Sequence, residues 1–562
     1  MSRYALPKLN AVAPVAPKTA VLIANGDLRA SANAACWAAQ QQLEQDAHDA
    51  FDSLDWSLHR AHAEVSSPEG PHGFIDSQKR GREVFATIHP DAPLVVAEAV
   101  WQYSHHVIAG LLQHRGPILI LANWSGTWPG LVGALNLRGS LTKANRAHTL
   151  LWGEDFTNPD FRDKLRQWCD TATIEHDTSH VTPLNPQKLP EPERQLGHAL
   201  AQQLQHKPAI LGIFDEGCMG MFNAIIPDHL LNPTGVYKER LSQSALYYAM
   251  TQVPDDQAQT VRTWYDNAGI TFKTGTNEET DLTDAQILDQ CRMYIAAVRL
   301  ADNFGCDAIG IQYQQGLKDL APASDLVEGT LNCTHRPPVH ADDGRIICEG
   351  QAMTHFNEVD ECAGLDGLIT HRVWTAMGML PDNTLHDLRW GDPDRSGTTE
   401  EYVWVFEISG SVPPSHFANG WADATSERQP PMYFRLGGGT IKGVSKAGEC
   451  VWSRIYIQHN TLHMDLGRSK AVDLPMTETQ RRWDSTTPQW PIMHAVTYGV
   501  TRDQMMARHQ ANHIQLVYAD DADTANRAAA AKAAMAHHMG IRVHLCGTDH
   551  NDTPLMQALA QL

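Results

Sequence analysis

Unbroken apolar runs of five to seven residues alternate with amphipathic stretches through the first 320 positions of the chain. Thr19–Ala24 (TAVLIA) ends at Asn-Gly-Asp, the pattern of a buried strand followed by a loop, and Ser31–Gln45 then reads as a helix. Pro117–Asn123 (PILILAN), Ala209–Phe214 (AILGIF) and Asp307–Gln312 (DAIGIQ) repeat the strand pattern, with helices expected near Pro129, Arg194–His206, Gln243–Met250 and Asp284–Asn303. Strand, loop and helix in this succession predict parallel sheets covered on their faces. Past Ala376 the pattern changes. Glu401–Ser409 (EYVWVFEIS) and Cys450–His463 alternate apolar with polar residues, as antiparallel strands do. A helix over Ala522–Met539 and a strand over Arg542–Leu545 close the chain.

The fold class expected is therefore α/β: two N-terminal parallel-sheet domains, then a C-terminal α+β domain rich in antiparallel strands. The four prolines of Pro183–Glu193 place one boundary, and the change of period places another. The expected domains are residues 1–188, 189–375 and 376–562.

Composition narrows the function. With 44 Lys and Arg against 65 Asp and Glu, the formal charge of the 562 residues is −21, which argues against nucleic acid or anionic membrane as a partner. No stretch approaches 18 unbroken apolar residues, and the Pro-rich lead lacks the apolar core of a secretory signal. The ten cysteines never occur as C-x-x-C and read as free thiols of a reducing compartment, so a cytoplasmic location is expected.

Three segments carry the candidate chemistry: NEVDECAGLDG with Glu361, TLHDLRWGD with Asp387, and TPQWPIMHAVTYG with His494. Two carboxylates and an imidazole form a hard, oxygen-rich donor set suited to Mn²⁺ or Mg²⁺, with positions left for substrate oxygens. His355, Glu358, Asp360 and Asp366 share the first segment, so which of its acids ligates stays open. A zinc hydrolase is disfavoured because no H-E-x-x-H occurs, and the pair His105-His106 has no acid at matching spacing.

In pattern and order these three segments resemble the C-terminal half of the L-fucose/D-arabinose isomerase family. Asp215–Ala224 (DEGCMGMFNA) is similar to a segment opening that family's second domain, with Met219-Gly220-Met221 shared. Asn123–Arg138 (NWSGTWPGLVGALNLR) resembles its first-domain loop, where an aromatic residue closes over the sugar of a neighbouring subunit. The chain departs from the family in an added stretch, Cys333–Gly350, and in Gly316, where the family tends to carry a Glu.

The resemblance implies that Glu361, Asp387 and His494 hold the metal, with Glu361 and Asp387 also moving the proton between C1 and C2 of a sugar. It further implies sugar contacts from Trp124, Trp128, Arg29 and Tyr498, and a homo-oligomer, commonly a hexamer. The expected activity is that of a metal-dependent aldose–ketose isomerase acting on a free or modified monosaccharide. A substrate carrying a charged group would need a basic residue at its far end, for which His335, Arg336 and Arg435 are candidates. The competing class is a catalytically silent sugar-binding or assembly protein on the same fold.

Overall fold

The computed structural model describes residues 11–562, which form a mixed α/β fold of two compact units. The first ends at Asn123 and resumes over Arg146–Glu175; the second comprises Trp124–Asn145 and His176–Leu562. The expected boundary at 188 therefore falls at 175/176, with one excursion. The expected boundary at 375/376 lies inside the second unit.

The first unit is a five-stranded parallel sheet. Its strands β1 (Thr19–Ile23), β2 (Ser57–Arg60), β3 (Leu94–Glu98), β4 (Ile118–Asn123) and β5 (Thr149–Gly153) lie in the order β2-β1-β3-β4-β5. Helix α1 (Ala30–Asp52) makes the first crossover. Strands β1 and β3 are buried along their whole length, the condition that gives parallel strands continuous apolar runs rather than alternation. Between β4 and β5 the chain leaves this unit as α2 (Gly130–Lys143), a helix rich in small residues and buried over most of its length.

The second unit contains two large sheets and a two-stranded pair, Thr271–Phe272 with Thr425–Ser426. After a short strand β6 (Val181–Pro183) and α3 (Glu191–His206), a three-stranded parallel sheet forms from β7 (Ala209–Phe214), β8 (Val236–Leu241) and β9 (Ala308–Ile311), in the order β8-β7-β9. Helix α4 (Asp284–Asn303) precedes β9, opened by a reciprocal Thr283–Gln286 capping box. Helix α5 (Glu361–Ala376) then leads into β10 (Asn383–Pro393), β11 (Tyr402–Glu407), β12 (Gly448–Gln458), β13 (Thr461–Ala471), β14 (Ile492–Thr497) and β15 (His513–Tyr518). These six strands pair as β12-β15-β10-β11-β14-β13, and β13 pairs back to β12, so the antiparallel sheet closes on itself. Beyond helix α6 (Ala522–His538), β16 (Arg542–Cys546) adds to β13 and β6 adds to β16. The alternating run at 450–463 proves to be a hairpin, turned at His459 and Asn460, both with φ near +50°.

The segment Thr354–Asp360 joins the two sheets. Its His355 bridges Ile309 of β9, and the His355 Nε2 accepts from the Ile311 amide at 3.1 Å. Gly310 makes the approach feasible, because a Cβ there would stand 2.4 Å from the Phe356 ring. Gly310→Ala is expected to lower stability by about 1–3 kcal/mol through this overlap, read as a reduced midpoint in urea unfolding.

Candidate functional site

A single row of residues runs straight across four strands of the closed sheet. Asp387 on β10 pairs with His513 on β15 on one side and with Glu407 on β11 on the other, and Glu407 pairs with Ile492 on β14. Directly opposed residues in a sheet share a face, so His513, Asp387 and Glu407 project together. This is the face against which α5 lies: a Cβ at Gly367 of α5 would come 3.4 Å from the Gln515 amide, and Gln515 is the next residue of β15 on the same side.

The Thr354–Asp360 segment supplies two more acids. Glu358 and Val359 both have positive φ, 58° and 55°, a backbone region costly for a β-branched residue. The strained turn aims successive acids in different directions. Glu358 Oε2 stands 3.6 Å from His513 Nε2, and Asp387 Oδ1 lies 3.5 Å from the same nitrogen. Asp360 caps α5 by accepting from the Ala363 amide, while its Oδ2 receives His513 Nδ1 at 2.7 Å and Arg454 at 2.6 Å. The imidazole is thereby fixed on one nitrogen and turned with the other toward two carboxylates.

Electrostatics follow from burial and these pairings. Burial opposes the charge on Asp360, but Arg454 and His513 outweigh it and hold the carboxyl well below the usual range. Burial alone would depress His513; the Asp360 hydrogen bond and the charges of Asp387 and Glu358 raise it instead. Asp387 is raised by burial, with His513 and Arg389 acting against the shift. Glu407, fully buried, is pushed up to about 8 by desolvation, only partly offset by Arg389.

Glu361 does not join the row. It is the first residue of α5, and its Oε2 accepts from the Ile226 amide and Lys238 Nζ, both at 2.6 Å. His494 does not join it either. It pairs with Val405 of β11 and lies on β14, two strands from Asp387. Neither of its ring nitrogens has a hydrogen-bond partner, and burial followed by Arg482 lowers it to about 4. Of the three expected ligands, Asp387 lies in the row, with His513 beside it and Glu358 facing that histidine from the Thr354–Asp360 segment. Glu358 was among the acids left open; His513, in the ordinary strand pattern HIQLVY, carries no linear signal at all.

Three of the four expected sugar contacts have partners within the protein. Trp124 is buried, donates to the Gly391 carbonyl at 2.9 Å and meets the Trp404 ring edge-on, with Arg502 over its face. Trp128 is half-buried. Tyr498 donates to Glu449 at 2.7 Å. Arg29, in the first unit, forms a two-pronged pair with Asp27. Of the residues considered for a charged substituent, Arg336 is spent on the carbonyls of Ile347, Cys348 and Gln351, and Arg435 faces Asp319 at 3.5 Å.

Among the described residues, no three His, Cys, Asp or Glu side chains stand in a ready metal-holding arrangement. What the row offers is a donor set: cis ligands of an octahedral ion lie about 3 Å apart, and the two carboxylates reach His513 Nε2 within about half an ångström of that. Two oxygens and one nitrogen fit Mn²⁺ or Mg²⁺ better than thiophilic ions. All ten cysteines are free. No described helix is long and apolar enough to cross a membrane. No protein-family model and no curated protein matches the chain.

Proposed function

We propose that this protein is a metal-dependent aldose–ketose isomerase acting on a free or modified monosaccharide. One observation carries the reading: two carboxylates, Glu358 and Asp387, face the Nε2 of a histidine whose other nitrogen is tied to a buried acid. Imidazole ligands of metal ions characteristically have such a carboxylate behind them, which fixes the tautomer and raises ligand basicity. Glu358, Asp387 and His513 would hold the ion, and the ion when bound would act as a Lewis acid toward the two oxygens at C1 and C2.

The chain's own residues then do the rest. A carboxylate of the Glu358–Asp387 pair would take the proton from the carbon beside the carbonyl and return it to the carbonyl carbon through a cis-enediolate, while the hydroxyl proton passes from the one oxygen to the other. Burial of the row keeps bulk water from quenching that species. Arg454 and Asp360 hold the imidazole still while the charge moves. The resemblance to fucose and arabinose isomerases supports the same chemistry with a different pair of ligands alongside Asp387.

The test sets two triads against each other. Mn²⁺ affinity and aldose–ketose turnover on a panel of free pentoses and hexoses are measured for the wild type, His513→Ala, Glu358→Gln, His494→Ala and Glu361→Gln. The expected outcome is loss of Mn²⁺ binding by at least 100-fold in the first two variants and little change in the last two. Loss in the last two alone would return the site to Glu361 and His494. A wild type without Mn²⁺ affinity would overturn this reading in favour of the silent sugar-binding or assembly protein.

A further inference from the structure

We propose that the cavity between the start of α3 and the end of α6 is a second binding site, for a compact phosphoryl polyanion of pyrophosphate size. The cavity measures about 260 Å³, and its lining includes Arg194 and His198 of α3 and His537 and His538 of α6. None of Glu358, Asp387 and His513 lines it, so its ligand is independent of the isomerase chemistry.

The acid of the cavity is already engaged. Glu191 pairs with Arg194 through one oxygen, and its other accepts from Gln195 Nε2 at 2.6 Å. Arg194 also donates to Gln187 at 3.1 Å, which leaves others of its five N–H donors for a ligand. The three histidines are exposed and stand against one another, the His198 and His538 rings 4.5 Å apart and those of His537 and His538 5.4 Å apart. Burial, followed by His198, His537 and Arg194, holds His538 below the usual imidazole range, and no acid acts the other way. With Arg194 offset by Glu191, each imidazole that gains a proton adds uncompensated positive charge, on a chain whose formal charge is −21.

Imidazolium rings this close repel, so they charge together only with an anion among them. Binding of the anion therefore draws protons onto them, aided at His537 and His538 by the negative end of α6. A divalent cation suits the cavity less well. Arg194 opposes it, and no three donors among the described residues stand in a metal-holding arrangement. The donors come from two helices, so the ligand needs oxygens directed several ways, as a tetrahedral phosphoryl group has and a planar carboxylate has not. Drug-sized pockets begin at roughly 300 Å³, so the occupant is small.

The experiment titrates full-length protein with pyrophosphate by calorimetry in metal-free buffer, at about pH 6.5 and about pH 8, above the range where a phosphoryl group itself takes up its proton. The bound imidazoles have raised pKa values, so affinity is greatest at the lower pH and is lost as pH rises; at least about a fivefold difference is expected. The double variant His198→Asn with His538→Asn is expected to bind at least about tenfold more weakly at pH 6.5, with most of the pH dependence and proton uptake gone. His206→Asn, exposed at the far end of α3, is expected to match the wild type. No pyrophosphate affinity in the wild type, or equal affinity in the double variant, overturns the proposal. Inorganic phosphate binding as tightly as pyrophosphate overturns the polyanion class. Zn²⁺ binding that the double variant loses, without pyrophosphate affinity, overturns it in favour of a metal site.

Discussion

Arg454→Met is expected to destabilise the second unit by about 3–5 kcal/mol and to weaken Mn²⁺ binding at least tenfold. Arg454 is among the largest fully buried side chains, and its guanidinium meets Asp360 at 2.6 Å. Removing it leaves Asp360 charged and buried with His513 as its remaining cationic partner. The carboxylate must then protonate or shift, and either change releases the imidazole that it orients. Urea unfolding followed by Mn²⁺ titration of the folded variant separates the two effects. Asp360→Asn removes the charge but keeps a hydrogen-bonding group, so it is expected to cost less stability and about as much metal affinity. A stable Arg454→Met protein with unchanged Mn²⁺ affinity would show that Asp360 needs no anchor.

Lys532→Met is the second large effect, with a loss of about 3–5 kcal/mol. The ammonium of this buried lysine, on α6, is held by Asp366 at 2.7 Å, Thr370 at 2.7 Å and Ser453 at 2.6 Å, joining α6, α5 and β12. Methionine fills much the same volume, so the loss comes from stranding the Asp366 carboxylate rather than from a cavity. The double change Lys532→Met with Asp366→Leu is therefore expected to recover most of the stability, since both charges leave together. A double variant as unstable as the single one would mean that the polar network itself, with Thr370 and Ser453, does the holding.

Much of the secondary structure was legible from local pattern, because buried parallel strands and capped amphipathic helices declare themselves within a few residues. Ala209–Phe214 and Asp284–Asn303 occur as their periodicity predicts, and Thr19–Ile23 and Ile118–Asn123 differ from expectation by a residue. Closure of the antiparallel sheet was not legible. It depends on β12 pairing both with its hairpin partner β13 and with β15, some 60 residues later, which no local window contains.

The site was legible in part for the same reason. Asp387 sits in a strand whose pattern is plain, and the acidic segment before α5 was recognisable as chemistry. Choosing among its acids required the positive φ at Glu358 and Val359, a feature of folding rather than composition. Glu361, at the helix start, is turned toward Lys238. His513 and Glu407 were invisible because only strand register sets them beside Asp387. His494, by contrast, has the more suggestive sequence context and stands two strands from Asp387.

The row has no linear address. His513, Asp387 and Glu407 are neighbours only because two consecutive strands and one more than 100 residues later agree in phase. A slip of one residue in β15 would keep the count of ladder bonds nearly whole while turning His513 away and presenting Ile514 in its stead. Fold and chemistry are thus inherited separately in this architecture: an insertion in a surface turn, harmless to the closed sheet, can erase the site without touching any of its residues.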